Sequence, residues 1–364
     1  MSYILAIDQS TAGTKAVLFN KYGAVISRSD LPHRQIVDER GWVEHDPVEI
    51  ITNVNTAAKQ VVEQADILPE EIKAIGLSNQ RETVVCWDRE TGQPVYNAIV
   101  WQCGRAAPIA DALAPYARLI REKTGLNNSP FFSAPKMAWV VQNVPRAAEL
   151  LEQDRLCCGT VDTWLVYTLT DGQSYKTDFS NASRTELMNL DTLDWDDSLI
   201  EMFGLRRSCL PEIVPAFSGL GAPYWDNDAR AMICGITAAT KKAHLVRAAE
   251  EAIAYQIRDI TEQLALCGKT VGLLCVDGGA TNDQFLMQFV SDMTGAPLKR
   301  SSIEELSAAG AAYLAALSAG IATQTEIFSS IEYTQVEPSM QQTQRERLYK
   351  GWKKAVAMVT EKKR

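Results

Sequence analysis

Three short stretches carry the side chains that could do chemistry. The first, Tyr3-Ile-Leu-Ala-Ile-Asp-Gln-Ser-Thr-Ala-Gly-Thr14, is an apolar run that ends in Asp8 and passes into small and hydroxyl residues. Exposed N–H groups in such a turn can point at an anion, and a carboxylate at the strand end can hold a hydrated Mg²⁺. Phosphate is the natural guest, although Asp8 and Thr11 could equally do no more than cap a tight turn. The second stretch, Ser78-Asn-Gln-Arg-Glu-Thr83, stands at the carboxyl end of an apolar run at 72–77. There Arg81 and Glu82 offer a donor and an acceptor to polyol hydroxyls, or form an exposed ion pair of little consequence. Trp101 closes another apolar run and reads either as core or as the wall of a site. In the third stretch, Asp277-Gly-Gly-Ala280, the pair Gly278 and Gly279 precedes a helical pattern. Backbone this bare suits the phosphate or ribose of a nucleotide, or simply a tight strand-to-helix turn.

The elements that position these residues follow from patterning. Apolar runs at 4–7, 16–19 and from 24 onward, punctuated by small residues and by Asn20-Lys-Tyr-Gly23, predict a three-stranded meander. Asp46-Pro47 predicts the start of an amphipathic helix over 48–65. Strands are expected at 72–77, 84–87 and 98–101, and helices at 109–123 and 136–151. An apolar, mostly buried run follows at 156–169, then a polar loop at 178–184 and a short helix capped by 194–197. From 214 the texture changes to a Gly/Pro-rich loop at 215–226. Beyond it come a long helix at 243–266, a buried strand at 270–276, and helices at 284–293, 306–320 and 341–364.

Composition narrows the classes. The 364 residues suit two domains, and 46% hydrophobic with 22% charged residues is ordinary for a globular chain. A net charge of −9 argues against a nucleic-acid or acidic-membrane partner. Eight cysteines include no C-x-x-C pair, and adjacent Cys157 and Cys158 in an apolar run read as buried packing. With the first strand beginning near Tyr3 and no apolar run of spanning length, the expected setting is the reducing cytoplasm.

Taken together, these residues resemble the FGGY carbohydrate kinases, and within them the glycerol-kinase branch. The resemblance rests on Gly41-Trp-Val-Glu-His-Asp-Pro47, Asn79-Gln-Arg-Glu-Thr83, Tyr96-Asn-Ala-Ile-Val-Trp-Gln-Cys103, Gly159-Thr-Val-Asp-Thr-Trp164, Asn181-Ala-Ser-Arg-Thr185 and Phe217-Ser-Gly-Leu-Gly-Ala-Pro-Tyr-Trp-Asp226. Phe131-Phe-Ser-Ala-Pro-Lys-Met-Ala-Trp139 fits one family signature, and residues 231–251 fit a second until Glu250, where an apolar residue is expected. The resemblance implies an α/β, actin-like ATPase (ribonuclease H-like) fold of two domains, 1–213 and 214–364, with a cleft between them. It also implies transfer of the γ-phosphoryl group of ATP to a terminal hydroxyl of glycerol or a similar small polyol. On this footing Asp8 would position Mg²⁺ and the phosphates, and Thr11 would sit in the first phosphate loop. Arg81 and Glu82 would bind the polyol, with Trp101 and Phe131 lining it, while Gly278, Gly279 and Asp283 would lie against the nucleotide.

Several departures from the family pattern bear on these expectations. Phe131 replaces a tyrosine whose hydroxyl contacts glycerol, Lys15 replaces an arginine, and Asp283 stands where asparagine is expected. The largest departure is a block missing between Ile213 and Val214. In the family that block carries the aspartate taken as catalytic base, a second phosphate loop and three strands of the second sheet. No catalytic residue is therefore assigned; transfer is expected to be severely weakened, and the second domain is expected to be truncated, with bare apolar faces that favour homo-oligomer formation. The other readings are a non-catalytic polyol- or nucleotide-binding module and the product of a decayed gene.

Overall fold

The computed structural model describes residues 2–214, 237, 240–277, 279–303, 306–329 and 331–360. The chain divides into two compact units. One comprises Met1–Gly219 with Ser307–Ile327, the other Leu220–Leu306 with Phe328–Arg364.

The first unit begins with the expected meander: β1 (Tyr3–Gln9), β2 (Gly13–Asn20) and β3 (Val25–Pro32). β1 and β2 pair antiparallel from Tyr3 opposite Asn20 to Gln9 opposite Thr14. α1 (Pro47–Gln64) then crosses to the strand Ile72–Asn79, which lies parallel to β1. Asp46 caps α1, its carboxylate accepting from the Val48 N–H at 2.8 Å. Ile50, Val54, Ala57 and Val61 recur at helical spacing and bury one stripe of α1 against Leu5, Ile7, Ala16 and Leu18.

β1 is apolar on both faces because the sheet is covered on both. The Ala-rich helix Leu306–Ser318 lies on the other side, with Tyr313 edge-on to Phe19 at 6.2 Å. A Cβ on Gly76 would stand 2.2 Å from the carbonyl oxygen of Ala311, so the helix approaches this closely only because residue 76 has no side chain. Residues Ser307–Ile327 cluster with the first unit and not with the remainder of 214–364.

A second, antiparallel sheet is centred on Val84–Asp88, between Ala98–Ile99 and Leu156–Thr160. It carries a core of Val84, Cys86, Ile99, Met137, Leu150, Cys158 and Phe203. The expected helix over 109–123 is broken into Ala107–Ala112, a 3-10 turn at Ala114–Tyr116 and Ala117–Thr124, with Pro115, which has no N–H, at the break. That over 136–151 is two helices, Ser133–Asn143 and Pro145–Glu152, because Val144 before proline is held extended. The run at 156–169 changes from strand to helix at Val161. The loop expected at 178–184 contains a helical turn, Phe179–Ala182, capped by Asp178.

In the second unit the helices Lys242–Leu266, Gln284–Thr294 and Gln342–Thr360 accompany a three-stranded sheet. The strand expected over 270–276 is shorter, Leu274–Val276, and stands at the edge of that sheet. Cys275 is exposed there and Leu274 and Val276 are only half-buried, and among the described residues the strand pairs with Leu298–Ser301 alone. The loop at 215–226 lies outside the described residues. The seven cysteines that the structure describes are all free, with Cys157 and Cys158 buried. No helix among the described residues is long and apolar enough to cross a membrane.

The contact at Gly76 yields a prediction. Gly76→Ala should destabilise the first unit by about 1–3 kcal/mol, as overpacking of a tight contact does. A urea-denaturation midpoint equal to that of the wild type would show that the helix Leu306–Ser318 does not lie on this strand.

Candidate functional site

The site begins where β1 and the strand Ile72–Asn79 end side by side, with Asp8 beside Ser78 and Gln9 beside Asn79. The half-buried Asp8 faces Lys15 across the hairpin. The turn between β1 and β2 is closed by the Ser10 N–H, which donates to the Gly13 carbonyl at 2.8 Å. Thr11, at its tip, is held from three directions. His33 Nε2 donates to its carbonyl at 2.9 Å and Gln35 Nε2 at 2.5 Å, while the Trp101 indole N–H donates to Thr11 Oγ1 at 2.9 Å.

On the neighbouring strand end Gln80 donates its backbone N–H to the Gln9 carbonyl at 2.6 Å. Its side-chain amide reaches Gln9 Oε1 at 3.0 Å and the Ser10 carbonyl at 3.2 Å. Glu82 follows with a φ of +63°, a left-handed conformation uncommon for a glutamate. Its buried carboxylate accepts from Arg184 Nε at 2.6 Å. The Arg184 guanidinium lies 4.9 Å from the Phe132 ring centre and 5.9 Å from that of Phe131. Phe131 in turn meets Trp101 edge to face at 5.6 Å. Thr11, Trp101, Phe131 and Glu82, singled out separately in the sequence, therefore form one contiguous surface, with Asp8 and the half-buried Arg81 on the two adjoining strand ends.

Buried ionisable groups underlie this surface. Lys136 is fully buried, donating to the carbonyls of Phe131 and Phe132, and burial pushes its ammonium down to about 7. Burial likewise raises Glu186 to about 8, while the Ser129 N–H it accepts and the nearby Lys136 pull it back. His45, buried and edge-on to His33 at 4.4 Å, is lowered to about 4, by burial first and by His33 second. Its Nδ1 lies 3.3 Å from the Gln80 amide. Sequence reasoning gave none of Arg184, Lys136, Glu186, His33, His45 or Gln80 a role. One signal was visible: a lysine among apolar residues at 131–139 implies a buried ammonium needing carbonyl partners.

The remaining candidates belong to the second unit. Gly278 lies outside the described residues, and Gly279 opens a 3-10 turn, Gly279–Asn282. Asp283 caps the helix Gln284–Thr294, its carboxylate accepting from the Leu286 N–H at 2.9 Å. Among the described residues no group of three His, Cys, Asp or Glu side chains could hold a metal ion.

An α/β chain with a hydroxyl-rich hairpin turn beside a paired donor and acceptor has the build of an actin-like sugar kinase. Solved structures agree. Plasmodium falciparum glycerol kinase with ADP superposes with a TM-score of 0.85 at 27% identity, covering 99% of this chain and 98% of that one. A ligand-bound xylulose kinase from Lactobacillus acidophilus gives 0.81 at 16% identity over 96% of each chain, which bears on the fold alone. Residues 3–240 match the FGGY family of carbohydrate kinases, N-terminal domain, and the chain belongs to that family. Glycerol kinase 2 of Thermotoga maritima is 36% identical over 98% of each chain. The glycerol kinase of Caldanaerobacter subterraneus is 35% identical over 97% of this chain and 98% of its own. Both alignments extend over 488 positions, more than the 364 residues present here.

The buried histidines make stability pH-dependent in a definite direction. His45 is neutral in the fold down to about pH 4, whereas in the unfolded chain it takes up a proton near 6.5. Its contribution is therefore complete above pH 6.5 and is lost as pH falls toward 4, by up to roughly 3 kcal/mol. Asp162, raised to about 6 by burial, opposes this over part of the same range, so the comparison must be with a variant. Between about pH 7 and about pH 5 the wild type should lose more unfolding free energy than His45→Gln. Equal losses would remove His45 as the cause.

Proposed function

We propose that the first unit is a polyol- and phosphate-binding half-site of glycerol-kinase type, and that phosphoryl transfer is severely weakened by the block missing between Ile213 and Val214. The observation that carries this is the unbroken chain of contacts from Thr11 through Trp101, Phe131 and Arg184 to Glu82. Arg81 donates to polyol hydroxyls and Glu82 accepts from them, while Trp101 and Phe131 cover the carbon side. Phe131 has no hydroxyl, so the polyol loses one hydrogen bond of about 1 kcal/mol relative to a tyrosine.

The turn at 10–14 receives the phosphates of ATP, with Thr11 at its tip. Asp8 fits a Mg²⁺ ion, which keeps most of its waters and takes one or two carboxylates beside phosphate oxygens. Bound there, the ion would neutralise charge on the transferring group. Gly278, Gly279 and Asp283 are assigned to the nucleotide by family resemblance alone. No carboxylate is assigned by motif to the part of the missing base, and the 488-position alignments to relatives support the reading that a segment of those proteins has no counterpart here.

The second unit supports a proposal of self-association. Val246, Ile253, Ile260 and Leu264 are all exposed along the helix Lys242–Leu266, which favours a homo-oligomer. Free cysteines support a reducing, cytoplasmic setting.

Two measurements test the proposal. Calorimetry should detect glycerol binding to the wild type and its loss in Glu82→Ala; a wild type that ignores glycerol would sink the half-site. In a coupled ADP-release assay, glycerol-dependent turnover should lie at least about a hundredfold below that of a full-length family member, the smallest typical contribution of a general base. Ordinary turnover, abolished by Asp8→Asn, would show that the chain transfers phosphate without the missing block.

A further inference from the structure

The polyol surface and the phosphate turn share one side chain. Trp101 meets Phe131 with its ring and Thr11 with its indole N–H. A hydroxyl has two lone pairs and one hydrogen. Because the indole supplies a donor, Thr11 Oγ1 uses a lone pair toward Trp101 and keeps its hydrogen. Among the described residues no acceptor is recorded for that hydrogen, and Thr11 is half-buried at the tip of the turn. The Thr11 carbonyl is meanwhile engaged by His33 and Gln35, which holds the backbone of the turn, and an indole N–H can only donate, so the roles at Oγ1 cannot reverse.

Trp101 is itself fixed from behind. Its backbone N–H donates to Thr83 Oγ1 at 3.2 Å, and Thr83 donates to Gln80 Oε1 at 2.9 Å. The Gln80 amide returns to the Ser10 carbonyl, in the same turn that holds Thr11. Two routes thus tie Trp101 to the turn, one through its side chain and one through its backbone, and they close a ring of hydrogen bonds.

We propose that Trp101, beyond lining the polyol, is a positioning residue for the phosphate turn: its indole N–H fixes the Thr11 hydroxyl as a donor to a phosphate oxygen. The inference rests on the reading of the turn at 10–14 as the phosphate loop. It assigns a polar task to a residue whose position in the polyol wall calls only for an apolar face. A phenylalanine would supply the face and not the donor, leaving the Thr11 hydroxyl free to rotate. The two ligands are then linked, because whatever moves Trp101 on the polyol side moves the donor on the phosphate side, and such linkage is reciprocal.

The test uses the full chain, with MgADP as probe and titration calorimetry as readout. Trp101→Phe and Thr11→Val should each weaken MgADP binding by about tenfold, the scale of one hydrogen bond to a charged group. The double variant should be no weaker than the weaker single variant by more than about twofold, since both substitutions remove the same donor. Thr11→Ser, which keeps the hydroxyl, should recover most of what Thr11→Val loses. A cooperative melt for each variant excludes misfolding as the cause. Losses that simply add, or a Trp101→Phe protein that binds MgADP as the wild type does, would overturn the inference while leaving the half-site standing. A wild type that binds neither glycerol nor MgADP would overturn the half-site itself, and the inference with it.

Discussion

The parallel pairing of β1 with the strand Ile72–Asn79 is the constraint on which the rest of the first unit depends. Parallel strands need a crossover, and α1 supplies it, burying its apolar stripe on the sheet. The register ends both strands at one level, Gln9 beside Asn79, so the hairpin turn and the segment 80–83 emerge together. The short hydrogen bond from the Gln80 N–H to the Gln9 carbonyl extends the ladder by one step and fixes the spacing. Two residues further on comes Glu82, in a left-handed conformation that a regular strand could not provide.

Polar groups are concentrated beneath the surface formed by Thr11, Trp101, Phe131 and Glu82 at a real energetic cost. Arg184 and Glu82 form a largely buried pair, and breaking such a pair on one side typically costs about 3–5 kcal/mol. Lys136 and Glu186 are buried more deeply, and burial opposes the charge of each. What these groups supply is specificity of position: Lys136 ties down the carbonyls of Phe131 and Phe132, and Arg184 joins both rings to Glu82. A wall of phenylalanines alone has no directional contacts to hold it in one arrangement. Here each ring is fixed through hydrogen bonds to its own backbone or through a cation at its face.

The second unit contrasts with this. Its three-stranded sheet carries Leu274–Val276 at an edge, and the 25-residue helix Lys242–Leu266 buries only Ala254, Tyr255 and Asp259. The helix packs on Leu286, Phe289 and Val290 of the helix Gln284–Thr294, and polar and aromatic contacts tie it to the helix Gln342–Thr360. Tyr349 and Trp352 both donate to Asp259, at 2.6 and 2.8 Å, and Trp352 stacks on Tyr255.

Local patterning in the sequence was enough to determine the meander, α1 with its Asp46 cap, the strand carrying Asp8 and the strand that precedes Arg81-Glu82, because alternation, helical spacing and caps act between near neighbours. The motifs identified the family for the same reason, each being contiguous. Where the sequence reading fell short, distant residues decided the outcome. Pro115 and Pro145 broke helices that periodicity alone had joined. The helix Leu306–Ser318 returned to the first unit because Gly76, far away in the chain, leaves room for it. Arg184 found its part only when the helical turn after Asp178 delivered it to Glu82, 102 residues earlier. The bond from Trp101 to Thr11 spans 90 residues. Which partner satisfies a buried donor is settled by what packing brings within about 3 Å, and no local pattern encodes that distance.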